Sequence, residues 1–291
     1  MTFSRWAAAL LLSALVFPSI CRAGTELVFN NVLVFGPYWF EYKTRMVVEP
    51  PNVVFEFDGR DTPEEKIGRM NWPTRIIYRG DRRTLVVVND RDRSWTMISS
   101  DDIPQVRAKL REDVEATARN YLASVPRAQR KSYEPELRKW IEEGTSLVGA
   151  EIMPGNRSLL QRGLPSSLLE LDWGYVWPAE LWVTDWQNIP GGKPVETSVK
   201  EFVGYVREVF APHFERSRLP LPVEAIAAVE GFPVIAKWSY FTENFTSGLL
   251  TVEERKFDPN LLTPPESYEF KMDGGMPQPS RGFRPRLLQQ F

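Results

Sequence analysis

Between Thr74 and Ser99 the chain reads TRIIYRGDRRTLVVVNDRDRSWTMIS, three short β-branched runs with charged bends between them. Strands joined by connections this short must lie antiparallel, because a parallel pair needs a crossover of about a dozen residues or more. Gly80-Asp81 and the stretch Asn89 to Arg93 supply the bends, where Asn, Asp and Gly form local backbone hydrogen bonds or tolerate positive φ. The charges therefore fall at turns and strand ends, where they favour solubility and discourage edge pairing. Alternation along SWTMIS predicts Trp95 and Met97 buried against the next element, a helix over 101–122. Ser99 or Ser100 caps that helix, and Ile103, Val106, Leu110, Val114, Ala118, Tyr121 and Leu122 make its apolar face.

The remaining segments extend the pattern. TELVFNNVLVFG, WFEYKTRMVV and NVVFEFDG read as strands, separated by Gly36-Pro37 and Pro50-Pro51. A second helix is expected around Glu136 to Glu143. LELDWGYVW and AELWVTDW read as strands, and a late helix follows Gly191-Gly192. Ser198 and Glu201 are expected to form its capping box. FPVIAKWSYF and GLLTVEERKF close the sheet-forming part, and 271–291 reads as a flexible tail rich in Gly and Pro. Strands, helices, then more strands with one late helix predict an α+β chain with its helices on one side of an antiparallel sheet.

The N-terminus carries Arg5, an apolar run from Trp6 to Pro18 and then small residues, the layout of a secretory signal peptide. The run is shorter than the roughly 20 residues that a spanning helix needs. Cleavage near Ala23 would leave a domain over 24–270, exported to the periplasm or secreted, with no transmembrane segment. Cys21, the single cysteine, would leave with the signal, and thiol and disulfide chemistry with it. A lipid anchor on Cys21 is disfavoured by Ile20 before it. Loss of Arg5 and Arg22 would make the formal charge of −2 more acidic by two. A weakly acidic chain without a basic block gives no footing for nucleic acid.

No residue pattern establishes a reaction. His213, the single histidine, follows Pro212. It has no cysteine to activate and no G-x-S-x-G serine, and alone it cannot build the usual zinc site. Asp58, Asp61, Glu64 and Glu65, and separately Asn89, Asp90 and Asp92, are oxygen-rich, but they lack calcium-loop spacing and have arginines among them. A carboxylate hydrolase therefore ranks third among the readings, and neither a metal nor a cofactor is expected. The aromatics carry more. Trp173, Tyr175 and Trp177 share a face by period two, as do Trp182 and Trp186, and Trp238 pairs with Tyr240. Such rows either fill a core or line a pocket for an apolar ligand.

IIYRGDRRTLVVVNDRDRSWTMIS followed at once by a helix resembles a family of exported bacterial proteins. PAELWVTDW, VEGFPVIAKWSYF and FDPNLLTPPESYEF resemble that family's later strands, with Ser267 where its closing motif has glycine. The resemblance covers 75–270. It implies the lipoprotein-carrier (LolA-like) fold, a curved antiparallel sheet forming an unclosed barrel with helices packed on its concave face. It also implies an apolar cavity able to take acyl chains, and it carries over no catalytic residue. The expected function is an exported binding or carrier protein for an apolar ligand, lipid included. Trp173, Tyr175, Trp177, Trp182, Trp186 and Trp238 are its candidate contacts. An envelope protein–protein interaction module is the second reading.

Overall fold

Branched and aromatic side chains pack well on a pleated surface, and the segments rich in them form the strands. The structure, a computed structural model, describes residues 23–35, 38–58, 74–90, 92–143, 150–172, 179–213, 222–240 and 243–271. The first six strands are β1 (Ala23–Phe35), β2 (Tyr38–Glu49), β3 (Asn52–Asp58), β4 (Arg75–Arg79), β5 (Thr84–Asn89) and β6 (Ser94–Ile98). After two helices come β7 (Glu151–Gln161), β8 (Leu164–Asp172) and β9 (Ala179–Thr184). Two more helices and β10 (Phe232–Tyr240), β11 (Glu243–Lys256) and β12 (Glu269–Phe270) complete the described chain. The helices are α1 (Ile103–Ser124), α2 (Arg127–Glu143), α3 (Gly192–Phe210) and α4 (Pro222–Ala228).

All twelve strands join one sheet, in the order β12-β6-β5-β4-β3-β2-β1-β11-β10-β9-β8-β7. Its pairs are antiparallel except β12 with β6. β12 and β7 are left as unjoined edges, so the α+β fold is an open sheet and not a closed barrel. The meander read from Thr74 to Ser99 is β4-β5-β6. Its first bend needs Gly80, because a Cβ there would meet the Pro51 carbonyl oxygen at 2.3 Å.

The main core lies between α3 and one face of the sheet. Val195, Val199, Phe202, Val206 and Val209 of α3 pack with Met46, Val53, Phe55, Ile76, Leu85 and Ile98. Phe202 lies 5.2 Å from the Phe55 ring and 5.7 Å from Tyr78, and the Tyr205 hydroxyl donates to the Ile98 carbonyl at 2.9 Å. The opposite face is covered over β2 to β6 by the C-terminal segment. There Phe257, Leu262 and Tyr268 pack on Val47, Val54, Ile77, Val86 and Val88. The second half of α1 pairs with α2 around Val114, Ala118, Tyr121, Tyr133, Leu137 and Trp140.

Three expectations need correction, and one strand has no counterpart among them. Ser94, Thr96 and Ile98 are buried while Met97 is 41% exposed, so Trp95 and Met97 do not pack against α1. Trp95 instead lies 4.6 Å from Phe270 on the far face. β4 and β5 are buried on both faces, so hydrophobicity alone could not choose the face of β6. Accordingly, Met97→Ala should stay within about 0.5 kcal/mol of wild type in urea melts, and a core-sized loss would restore the first reading. Next, α3 begins at Gly192 behind Gly191 in the left-handed region, and Ser198 is no cap. Its hydroxyl donates inside the helix to the Pro194 carbonyl at 2.9 Å. The two glycines read as a turn, and Pro194 sits in the first turn, where proline is tolerated. Third, α2 begins at Arg127, directly behind Pro126, and contains Pro135. Last, β7 was not anticipated at all. Pro154-Gly155-Asn156 breaks its alternation, and its register with β8 shifts between Pro154 and Ser158.

Candidate functional site

Period-two alternation and the strand registers place one row of side chains across the middle of the helix-covered face. Asn31 of β1 opposes Tyr42 of β2 on one side and Ser247 of β11 on the other, and Ser247 opposes Ala236 of β10. On one flank of this row lie Thr44, Phe29 and Leu249, of which Phe29 and Leu249 belong to the main core. On the other lie Phe245 and Trp238, 4.9 Å apart, in a second apolar cluster with Leu171, Ala179, Leu181, Ala225 and Val229. The two clusters are thus parted by a polar step.

That step is buried and incompletely satisfied. Asn31 is 0% and Ser247 2% exposed. The Asn31 amide nitrogen donates to Thr44 Oγ1 at 2.8 Å and to the Tyr42 carbonyl at 3.4 Å, which fixes the orientation of the amide. Asn31 Oδ1 and Ser247 Oγ, on adjacent strands, have no partner. Buried polar atoms are nearly always hydrogen-bonded, and one left unpaired costs about 1–3 kcal/mol. Burial pushes the Tyr42 phenol well above its usual pKa, so it stays neutral at any physiological pH. Glu41, Lys43 and Lys237, the charged residues nearest along these strands, are exposed and alternate to the other face. On β1, β2 and β11 the row is polar and uncharged, and its β10 member, Ala236, belongs to the second cluster.

Of the six aromatics singled out in sequence, Trp173, Tyr175 and Trp177 lie outside the described residues. Trp238 borders the polar row. Trp182 and Trp186 belong to the main cluster. Arg157 covers the Trp182 ring at 5.4 Å and reaches Glu180 at 3.6 Å. Trp186 stands outside the strand, in a short 3-10 turn after β9, where its indole N–H donates to the Glu230 carbonyl at 2.8 Å. Reasoning from sequence missed Asn31, Thr44 and Ser247. A polar residue at an inward position of an otherwise apolar strand is the available signal.

Among the described residues no group of three or more His, Cys, Asp and Glu side chains is arranged to hold a metal. Asn89 and Asp92 bond one another across their bend, the Asp92 N–H donating to Asn89 Oδ1 at 3.2 Å. Asp61, Glu64 and Glu65 lie outside the described residues. His213 is buried, its Nε2 3.0 Å from the Ile141 carbonyl and its ring edge-on to Trp140. It ties the end of α3 to α2.

No protein-family model and no curated protein matches the sequence. Solved structures resemble it in shape. PNGF-II aligns with 87% of this chain at 8% identity and a TM-score of 0.36, and the chain spans 31% of that protein's length. A conserved protein from Thermus thermophilus aligns over 91% of this chain and 99% of its own, at 5% identity and a TM-score of 0.38. A LolA superfamily protein from Nitrosomonas europaea aligns over 82% and 90%, at 10% identity and a TM-score of 0.27. The open, mostly antiparallel sheet with helices on one face is the architecture that the resemblance in sequence implied. Likenesses this loose carry no argument about activity.

Proposed function

We propose that this is an exported binding or carrier protein for an apolar ligand, lipid included. One observation supports it most: the helix-covered face of the open sheet holds two apolar clusters parted by a polar row with unpaired buried oxygens. A core built only for stability would gain from filling that row with apolar side chains. Trp238 and the aromatics of 173–177 are the proposed contacts. The latter follow Leu171 and precede Ala179 in sequence, both fully buried members of the second cluster. Trp182 and Trp186 stand further back in this reading and support the wall. The first 23 residues are the proposed export signal, and N-terminal sequencing should find Gly24 within two residues of the mature start. Among the described residues no helix is long and apolar enough to cross a membrane.

Native mass spectrometry of protein purified from its own envelope should show a bound mass that lipid extraction recovers. Delipidated protein should then give a saturable change in tryptophan emission against a panel of fatty acid, lysophospholipid and monoacylglycerol. Trp177→Ala should weaken that binding by about 1 kcal/mol or more, because a pocket aromatic contributes contact area, with the melting curve unchanged. Bare protein and flat titrations would sink the carrier reading. The second reading, an interaction module, draws on the β7 edge, where Ile152, Met153 and Leu160 are 45%, 39% and 71% exposed. Exposed apolar edges are sites of strand addition.

A further inference from the structure

We propose that the row Tyr42–Asn31–Ser247 seats the polar end of the ligand, and that this end is a neutral group that both donates and accepts hydrogen bonds, such as the alcohol of a monoacylglycerol or a fatty amide. The inference deepens the carrier reading and rests on it. Its basis is the chemistry of the two unpaired atoms. Asn31 Oδ1 is an acceptor without a donor, and Ser247 Oγ can give and receive one bond. Because the amide orientation is fixed by Thr44 and Tyr42, the row as built presents an acceptor and a hydroxyl side by side on β1 and β11. An alcohol O–H given to Asn31 with its oxygen receiving the Ser247 hydroxyl satisfies both.

Charge decides the class. A carboxylate or phosphate seated here would bring an ion into a row whose members, Tyr42, Asn31, Ser247 and Ala236, include no cation, and an unpaired buried charge is far more costly than a buried hydroxyl. The apolar body of the ligand would lie along Phe245 and Trp238, on the flank whose other wall is Ala225 and Val229 at the α4 end. α4 is a short helix on α3 and β10, with Val223 and Ile226 in the main core and Ala225 in the second cluster. In this proposal α4, which covers that flank, parts from β10 to admit a ligand, since both polar atoms are closed off in the described state.

The test uses the delipidated full mature chain, titrated with monodecanoylglycerol and with decanoate, two soluble probes of equal chain length. Tryptophan emission is the readout, and thermal melts of every variant verify folding. The glyceride should bind about tenfold or more tightly than the acid, the scale of one to two net hydrogen bonds. Ser247→Ala, the milder change, and Asn31→Ala should each reduce that preference severalfold while leaving decanoate binding as it was. Equal or tighter binding of decanoate would overturn the neutral-head inference and leave the carrier reading standing. Binding of neither probe, nor of the wider amphiphile panel, would remove both. A preference for the glyceride that survives both variants would mean that the row holds only internal water, and the proposal would fall.

Discussion

Phe202→Ala should lower the unfolding free energy by about 3–5 kcal/mol in urea melts, the range for truncating a large core aromatic. Phe202 is 0% exposed, midway along α3, with Phe55 of β3 and Tyr78 of β4 against its ring. Truncation would remove contacts with two strands at once, and Tyr78 could not follow into the gap without leaving Tyr205, 5.5 Å away. The measurement bears on function as well as stability. α3 covers β2 to β4, so a ligand can reach the helix-covered face only beside that helix or by displacing it. A loss of the full size places α3 as fixed wall and directs attention to α4. A loss below about 1 kcal/mol would mean that α3 is loosely seated, and that it is the movable cover.

How far sequence could reach differs by region, for physical reasons. The meander was legible because each strand ends at residues whose backbone preferences force a bend, and α1 because its apolar face repeats at three and four. Alternation failed at Trp95 and Met97, where both faces of the neighbouring strands are covered and period two loses its meaning. The cover on the far face is the segment from Phe257 to Phe270, joined to β6 only by tertiary contact. Gly191-Gly192 resembles a turn and hides the start of α3, and the proline and glycine of β7 resemble a loop. The polar row lay beyond sequence reasoning altogether. Asn31 and Ser247 are 216 positions apart in the numbering of the chain, and only the β1–β11 register makes them neighbours. The aromatics were visible as residues, but whether a ring fills or lines depends on what stands opposite it.

Arg45→Met should cost about 2–4 kcal/mol, somewhat below the usual loss for stripping one partner from a buried ion pair, since Arg45 keeps a third of its side chain in solvent. On the face away from the helices, Arg255, Glu26, Arg45, Glu56 and Arg75 alternate in sign across β11, β1, β2, β3 and β4. Arg45 is the centre of this ladder. Its Nε donates to Glu26 and its Nη1 to Glu56 at 2.6 Å, and its guanidinium lies 5.8 Å over the Phe257 ring. Burial works against its charge, yet the hydrogen bonds and charges of the two glutamates outweigh it and hold its pKa above the usual value. Without Arg45, Glu26 stays 6% exposed with only the half-exposed Arg255, 3.2 Å away, to balance it, whereas Glu56 keeps Arg75 at 3.3 Å. The cost is therefore the stranded Glu26 charge, and a double variant can isolate it. Glu26→Leu with Arg45→Met should return to within about 1 kcal/mol of wild type, because an apolar pair of similar size replaces a buried ion pair with little loss. If the two changes add instead, each charge is already screened by solvent and the ladder contributes little to stability. Should the double variant recover stability but populate a second strand register, visible as doubled amide signals in NMR, the ladder's role is in alignment. A one-residue slip of β2 would carry its charges to the helix-covered face, and the row of Asn31 and Ser247 would lose its alignment with Tyr42.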